Sequence, residues 1–248
     1  DSPDALDAVR VALADIGDLE RILSRLARPA TAKVADLVTL RRSLAALPVV
    51  LTELARLDRF SEELASFPDL SAARTILRDR LAESPSAVLG DGNVIKSGVH
   101  AELDELRELL ENQRLHLLKF QDTERARSGI PSLKVSYNQI YGYYIEISKA
   151  NLGSAPADYI RKQTLVNAER YITPELKRFE EKLLAASDRI ASIERELFNR
   201  LLADLLAEAA PLRDAADRIA RIDALAALAE TARRERFVRP QLSEEDVL

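Results

Sequence analysis

The sequence predicts a mainly α chain: a helical bundle, then two long antiparallel helices that carry a small inserted β module. Three observations predict it. The 248 residues are 47% hydrophobic and 31% charged, with only 7 Gly, 6 Phe, 6 Tyr and no Trp. They are rich in Leu, Ala, Glu and Arg, whose side chains lose little rotamer freedom in a helix. Apolar residues recur at steps of three and four over long stretches. All six tyrosines fall between positions 137 and 171, where that helical rhythm stops.

From Asp4 to about Leu81, short amphipathic segments alternate with punctuation at Arg28-Pro29, Leu47-Pro48 and Phe67-Pro68, and Ser84-Pro85 follows just beyond. Leu19, Ile22, Leu23 and Leu26 keep helical spacing, so the region reads as a bundle of short helices. Residues 90–98 contain three glycines, Gly90, Gly92 and Gly98, and read as a loop.

An uninterrupted helical pattern then runs from about Val99 to Arg127. Leu103, Leu106, Leu110, Gln113, Leu117 and Phe120 form one narrow stripe of the coiled-coil kind. A helix of that length extends roughly 40 Å, more than a domain core requires. A second such pattern begins at Thr173-Pro174-Glu175, where Thr suits the cap and Pro the first helical position. Leu176, Phe179, Leu183, Ala186, Ile190, Ile193 and Leu197 continue it. Each stripe alone would leave an apolar seam in water, so the two are expected to zip together as an antiparallel pair.

Between the arms, Leu133-Lys134-Val135-Ser136-Tyr137 and Tyr143-Tyr144-Ile145-Glu146-Ile147-Ser148 alternate in part and are rich in β-formers. Asn138 to Gly142 reads as the turn between them. The module carries Lys134, Lys149, Arg161, Lys162 and Arg170 against Glu146, Asp158 and Glu169, a basic bias within a chain of net charge −5. Arg161-Lys162-Gln163-Thr164 with Asn167 supplies cations, amides and a hydroxyl, which suit phosphate oxygens and read no bases. An ordinary solvated loop has the same composition. The tyrosines serve either as stacking surfaces for single-stranded bases or as the core of a small sheet. Beyond the return helix, Pro211 introduces a last helix to about Arg234, and residues 239–248 read as a polar linker.

Several function classes lack their residues. No apolar run reaches the roughly 20 residues of a membrane span, and the chain opens with Asp-Ser-Pro-Asp rather than a basic and apolar leader. No membrane partner is expected, and a cytoplasmic location is. Without cysteine there are no disulfides, thiolate metal sites or cysteine nucleophiles. His100 and His116 would fall on nearly opposite faces of one helix and cannot share a metal there. The carboxylates interleave with Lys and Arg as solvated faces. No G-x-x-x-x-G-K-[ST] loop occurs, so no ATP site of that kind is present. The chain neither begins with Met nor contains one, which suggests a piece of a longer protein.

Residues 133–147, followed by Arg161-Lys162-Gln163-Thr164-Leu165-Val166-Asn167-Ala168-Glu169-Arg170-Tyr171 and Pro174-Glu175-Leu176, closely resemble the clamp of the bacterial MutS mismatch-repair family. Gly17 to Leu26 resembles the start of that family's core helices, so the resemblance covers nearly the whole chain. It implies a lever of long helices with a clamp at its end that closes around double-stranded DNA in a homodimer. It further implies a nucleoid-associated protein with a MutL-type partner, and ATP with Mg bound only in an ATPase domain outside this chain. The domains it implies are a discontinuous helical core and lever, 1–127 with 173–238, and a clamp, 128–172. The DNA-backbone contacts it implies are Lys134, Asn138, Gln139, Arg161, Lys162, Gln163, Thr164 and Asn167. Val166 departs from relatives that carry Lys there. Phe60-Ser61-Glu62 and Phe179-Glu180-Glu181 match the family's short mismatch-reading wedge, but both sit in helical stretches outside the matching region.

The expectation is therefore a non-enzymatic DNA-holding piece without a cofactor of its own. Its rival is a helical scaffold whose tyrosine-rich tip binds another protein. A metal-dependent nuclease would need converging carboxylates or histidines, which the spacing does not supply.

Overall fold

A computed structural model describes residues 3–57 and 60–238. The segment 239–248, expected as a linker, lies outside the described residues. The helices are α1 (Pro3–Leu13), α2 (Leu19–Leu26), α3 (Val34–Leu54), α4 (Ser61–Ala65), α5 (Ser71–Arg80), α6 (Ala101–Glu111), α7 (Gln113–Ser128), α8 (Pro174–Ala207) and α9 (Ala209–Arg234). Four strands, β1 (Lys134–Asn138), β2 (Gly142–Ser148), β3 (Ile160–Thr164) and β4 (Ala168–Ile172), lie between α7 and α8. The chain divides into two compact units. One comprises Asp1–Val88, Val94–Lys96 and Leu197–Leu248, and the other Leu89–Asn93 and Ser97–Glu196.

The first unit is helical. Asp18 caps α2 by accepting the Arg21 amide at 2.9 Å, and Leu19, Ile22, Leu23 and Leu26 are buried as their spacing predicts. Along α3, Leu37, Leu40, Leu44, Leu47, Val50 and Leu54 are buried in one continuous row, and α1, α2 and α5 pack against this helix. The expected break at Leu47-Pro48 does not occur, and α3 runs through it. An internal proline removes one intrahelical hydrogen bond and crowds the preceding turn, a cost of about 3 kcal/mol. The unbroken buried row on both sides of Pro48 outweighs it, each leucine contributing about 1.5–3 kcal/mol. A short bridge pairs Leu81 with Ile95, where the Ala82 amide donates to the Val94 carbonyl at 2.9 Å.

In the second unit, the single helix expected over residues 99–127 is divided at Asn112, which takes φ −81° and ψ 0° between α6 and α7. Asparagine competes with helical backbone bonding through its own side chain. The ladder still crosses this point, for the Asn112 amide donates to Glu108 and the His116 amide to Asn112, both at 3.0 Å. The stripe survives as well, with Leu103 buried and Leu106, Leu110, Gln113, Leu117 and Phe120 half-buried. Contacts with the residues of α8 in this unit run antiparallel. Glu102 accepts from Arg189 at 2.6 and 2.8 Å, and the His116 ring lies 5.9 Å from that of Phe179. Thr173 caps α8, its hydroxyl accepting the Leu176 amide at 3.1 Å.

The sheet is antiparallel throughout, in the order β1-β2-β4-β3. Alternation along the strands sorts the side chains onto two faces. Leu133, Ile145, Ile147 and Tyr171 point to one face and form a core with Ile130, Tyr159 and Leu176, flanked by Leu117 and Phe120 of α7. The opposite face carries Lys134, Ser136, Tyr144, Glu146, Arg170 and Gln163. The tyrosines divide accordingly. Tyr144, Tyr159 and Tyr171 are buried and Tyr143 is half-buried, whereas Tyr137 and Tyr141 are exposed.

Candidate nucleic-acid interface

The outer face of the sheet is organised by one arginine. Pairing of Lys134 with Glu146, Glu146 with Arg170 and Arg170 with Gln163 sets these four side chains in a row across all four strands. Arg170 Nε donates to Glu146 Oε2 at 3.1 Å and Nη1 to Gln163 Oε1 at 2.9 Å, while its guanidinium lies 4.3 Å from the ring centre of Tyr144. That stacking hides Tyr144 although it stands on the outer face. The charge of Arg170 is thereby committed, and Gln163 keeps only its amide donors for a ligand.

The remaining cations differ in how far they are engaged. Arg161 is exposed, with Nη1 3.4 Å from Glu169 Oε1. Lys134, Lys149 and Lys162 are exposed, and none of the three has an ion pair among the described residues. The β3–β4 register shifts between Arg161 and Gln163, so Lys162 is the extra residue of a bulge on an edge strand. A bulge re-aims its side chain out of the pleat, and here the re-aimed group is a lysine.

Four of the eight expected contact residues lie at two turns, and Lys134, Arg161, Lys162 and Gln163 lie on the strands between them. At one end, Asn138 closes β1 opposite Gly142, its Oδ1 accepting the Ile140 amide at 2.8 Å, and Gln139 is exposed on the turn. At the other, Thr164 and Asn167 flank the β3–β4 turn, where the Leu165 amide donates to the Ala168 carbonyl at 2.8 Å. Ala168 pairs with Ser148, and the Lys149 amide donates to the Asn167 carbonyl at 3.1 Å, which fixes this turn at the far end of β2. The two turns are separated by the length of β2, roughly 20 Å at about 3.3 Å per residue. No single small anion reaches both.

A polar network, buried at Tyr159 and Glu124 and exposed at Arg127 and Asp158, holds the approach to β3. Tyr159 Oη donates to Glu124 Oε2 at 2.5 Å, Arg127 Nη2 donates to the same oxygen at 2.8 Å, and Arg127 also grips Asp158 at 3.0 and 3.1 Å. The pairing with Arg127 holds the Asp158 carboxyl below the usual carboxylate range. Burial, and then the bond to Glu124, push the Tyr159 hydroxyl well up. Tyr171 is raised to about 12 by burial and by its bond to Glu169, at 2.6 Å.

The composition of Arg161–Thr164 with Asn167 leaves a phosphate-binding segment and an ordinary solvated loop open, and the structure makes the segment an edge strand followed by a tight turn. The composition also leaves Arg170 as one cation among several. Its role depends on cross-strand register, and the only local signal was the alternation in Ala168-Glu169-Arg170-Tyr171-Ile172. Among the described residues no three His, Asp or Glu side chains are grouped to hold a metal, and no helix is long and apolar enough to cross a membrane.

Fold and site together define a helical protein bearing an inserted four-stranded antiparallel sheet, its outer face and turns lined by amides, hydroxyls and uncommitted lysines. Residues 98–189 match the family model described as MutS family domain IV. The chain belongs to the MutS family. It is 41% identical over 239 residues to a DNA mismatch repair protein MutS of Methanosarcina barkeri, covering 94% of this chain and 26% of the relative. The protein of that name from Thermotoga neapolitana is 43% identical over 240 residues, covering 97% of this chain and 29% of the relative. A third, from Methanosarcina acetivorans, is 40% identical over 243 residues, covering 96% and 27%. The chain thus spans between a quarter and a third of the length of these relatives.

Proposed function

We propose that this chain is the part of a mismatch-repair MutS protein that holds duplex DNA by its backbone, without reading sequence. The observation that carries this reading is the pair of polar turns about 20 Å apart, with Lys134, Lys149 and Lys162 uncommitted between and beside them. Only an extended polyanion meets both ends, and a DNA duplex presents one negative charge per about 1.7 Å of axis. Lysines, amide N–H groups and a threonine hydroxyl suit phosphate oxygens and carry no base code. The relatives' name, DNA mismatch repair protein MutS, supports duplex DNA as the polyanion.

In this reading the β module, residues 128–172, is the clamp, and the helices of 1–127 and 173–238 form the core and lever that couple it to the rest of the protein. Lys134, Asn138, Gln139, Arg161, Lys162, Gln163, Thr164 and Asn167 contact phosphates. Mismatch reading and ATP hydrolysis, with its Mg, belong to other domains of the whole protein, which acts as a homodimer, in the cytoplasm, with a MutL-type partner. No catalytic step is assigned to this chain.

Fluorescence anisotropy with labelled short duplexes of differing sequence tests the reading. Affinity should be the same within about twofold for matched and mismatched duplexes, and it should fall when Arg161 and Lys162 are replaced by Ala. A marked preference for the mismatch, or undiminished binding by the double variant, would overturn it.

A further inference from the structure

Strand β4 lies between β2 and β3, so Arg170 has a cross-strand neighbour on either side, Glu146 on β2 and Gln163 on β3. Its two bonds leave different nitrogens of one rigid plane, Nε toward Glu146 at 3.1 Å and Nη1 toward Gln163 at 2.9 Å. The Tyr144 ring, 4.3 Å away, holds that plane in place. With a carboxylate beside it and its side chain 20% exposed, the guanidinium is poorly placed to meet a phosphate itself.

The bond to Gln163 decides which way a carboxamide faces. A guanidinium has donors and no acceptor, so only the amide oxygen can turn toward it. The Gln163 nitrogen, with its two N–H groups, is then directed away from Arg170, and nothing among the described residues accepts from it. Gln163 is half-buried on the edge strand, next to the bulged Lys162. A free glutamine there would present oxygen and nitrogen alike, and its oxygen repels a phosphate when it faces one. Ordering it on a ligand would also cost side-chain entropy. Held by Arg170, the side chain offers donors alone and is ordered before the ligand arrives.

We propose that Arg170 is a positioning residue for DNA: it acts through Gln163, whose amide N–H groups it aims at a phosphate, and not through its own charge. The inference rests on the reading of the sheet as the DNA-holding face, and its test has two arms. The first uses the 248-residue chain without DNA. The NMR order parameter of the Gln163 side-chain amide should lie above about 0.6 and drop below it in Arg170→Lys. Lysine keeps the charge but replaces the rigid plane by a single nitrogen. The second arm is duplex anisotropy over a range of salt. Arg170→Lys and Gln163→Met both conserve charge, and each should weaken binding by about threefold to tenfold. Neither should change the slope of log affinity against log salt, whereas Lys162→Ala should make it shallower by about 0.9. In the Gln163→Met background, Arg170→Lys should cost nothing further, since a merely structural loss would persist there. Thermal melting checks that the variants fold, and the order parameter of the unaltered chain stands without any variant. A mobile Gln163 amide in the unaltered chain, or one that Arg170→Lys leaves equally ordered, would overturn the positioning role. Undiminished duplex binding by Arg170→Lys, or an equal loss from that change in the Gln163→Met background, would overturn it too, while leaving the DNA reading intact. No duplex binding by the unaltered chain, with Gln163 ordered as expected, would instead overturn the DNA reading on which the role rests.

Discussion

The Tyr159 hydroxyl donates to the buried carboxylate of Glu124 at 2.5 Å, joining the end of α7 to the segment that leads into β3. Arg127 shares that carboxylate and reaches Asp158, so two residues of α7 and two of the segment before β3 together fix where the edge strand starts. Replacing Glu124 by Ala leaves the buried Tyr159 hydroxyl without its acceptor, Arg127 keeping Asp158, and should destabilise the protein by about 1–3 kcal/mol. Tyr159→Phe leaves Glu124 on Arg127 and should cost less. Urea unfolding of the two variants measures the difference, and an equal, negligible loss would remove the network from the account.

Alkaline pH should loosen the β module through the same tyrosines. Tyr171 is raised to about 12, and Tyr143 and Tyr159 are raised as well, each first by burial. A raised folded-state value means that the folded protein keeps protons that the unfolded chain has released. The stabilisation is therefore complete below the unfolded value near 10 and is lost as pH rises through the folded values. Stability should fall above about pH 10, and ultraviolet titration should show part of the tyrosine absorbance change delayed beyond the normal range. A single normal titration of all six tyrosines would contradict this.

At Gly142 the backbone takes φ +71°, in the left-handed region, and Glu180 lies against the space a Cβ would fill. The Glu180 carboxylate can swing away, whereas the backbone cannot change without opening the β1–β2 turn. Gly142→Ala should cost about 1–2 kcal/mol from the left-handed backbone alone. Adding Glu180→Ala should recover little, and full recovery by the second change would show that crowding, not conformation, dominates.

The carboxylate of Glu194 is fully buried and accepts the amides of Gly90 and Gly92 at 2.8 and 3.1 Å, with Arg107 Nη2 at 3.6 Å. It supplies acceptors to backbone donors that the glycine-rich loop cannot satisfy within itself. Glu194→Ala leaves the Gly90 and Gly92 amides without their acceptor, while Arg107 keeps Asp104, and should destabilise by about 1–3 kcal/mol. Glu194→Gln, which keeps one acceptor oxygen, should cost less, as denaturant melts of the two variants would show.

The helical arms and the first hairpin were legible because period and local turn chemistry decide them. The stripe from Leu103 to Phe120, the Thr173 cap and the turn after Asn138 all stand where the spacing puts them. What escaped is set by residues distant in sequence. Pro48 continues a helix because core leucines lie on either side of it, and Arg161–Thr164, polar throughout, becomes a strand because β4 offers it a ladder. The candidate contacts were legible as residue types but not as an arrangement. Their spread from the turn at one end of β2, across the strands, to the turn at the other, and the engagement of Arg170, follow only from the strand register.

The most direct test of the central claim is the salt dependence of duplex binding by the chain and by its Lys134→Ala, Lys149→Ala, Lys162→Ala triple variant. If these lysines meet phosphates, the plot of log affinity against log salt should become shallower by roughly 0.9 for each lysine removed. An unchanged slope in the folded triple variant, or no duplex binding by the unaltered chain at low salt, would contradict the account.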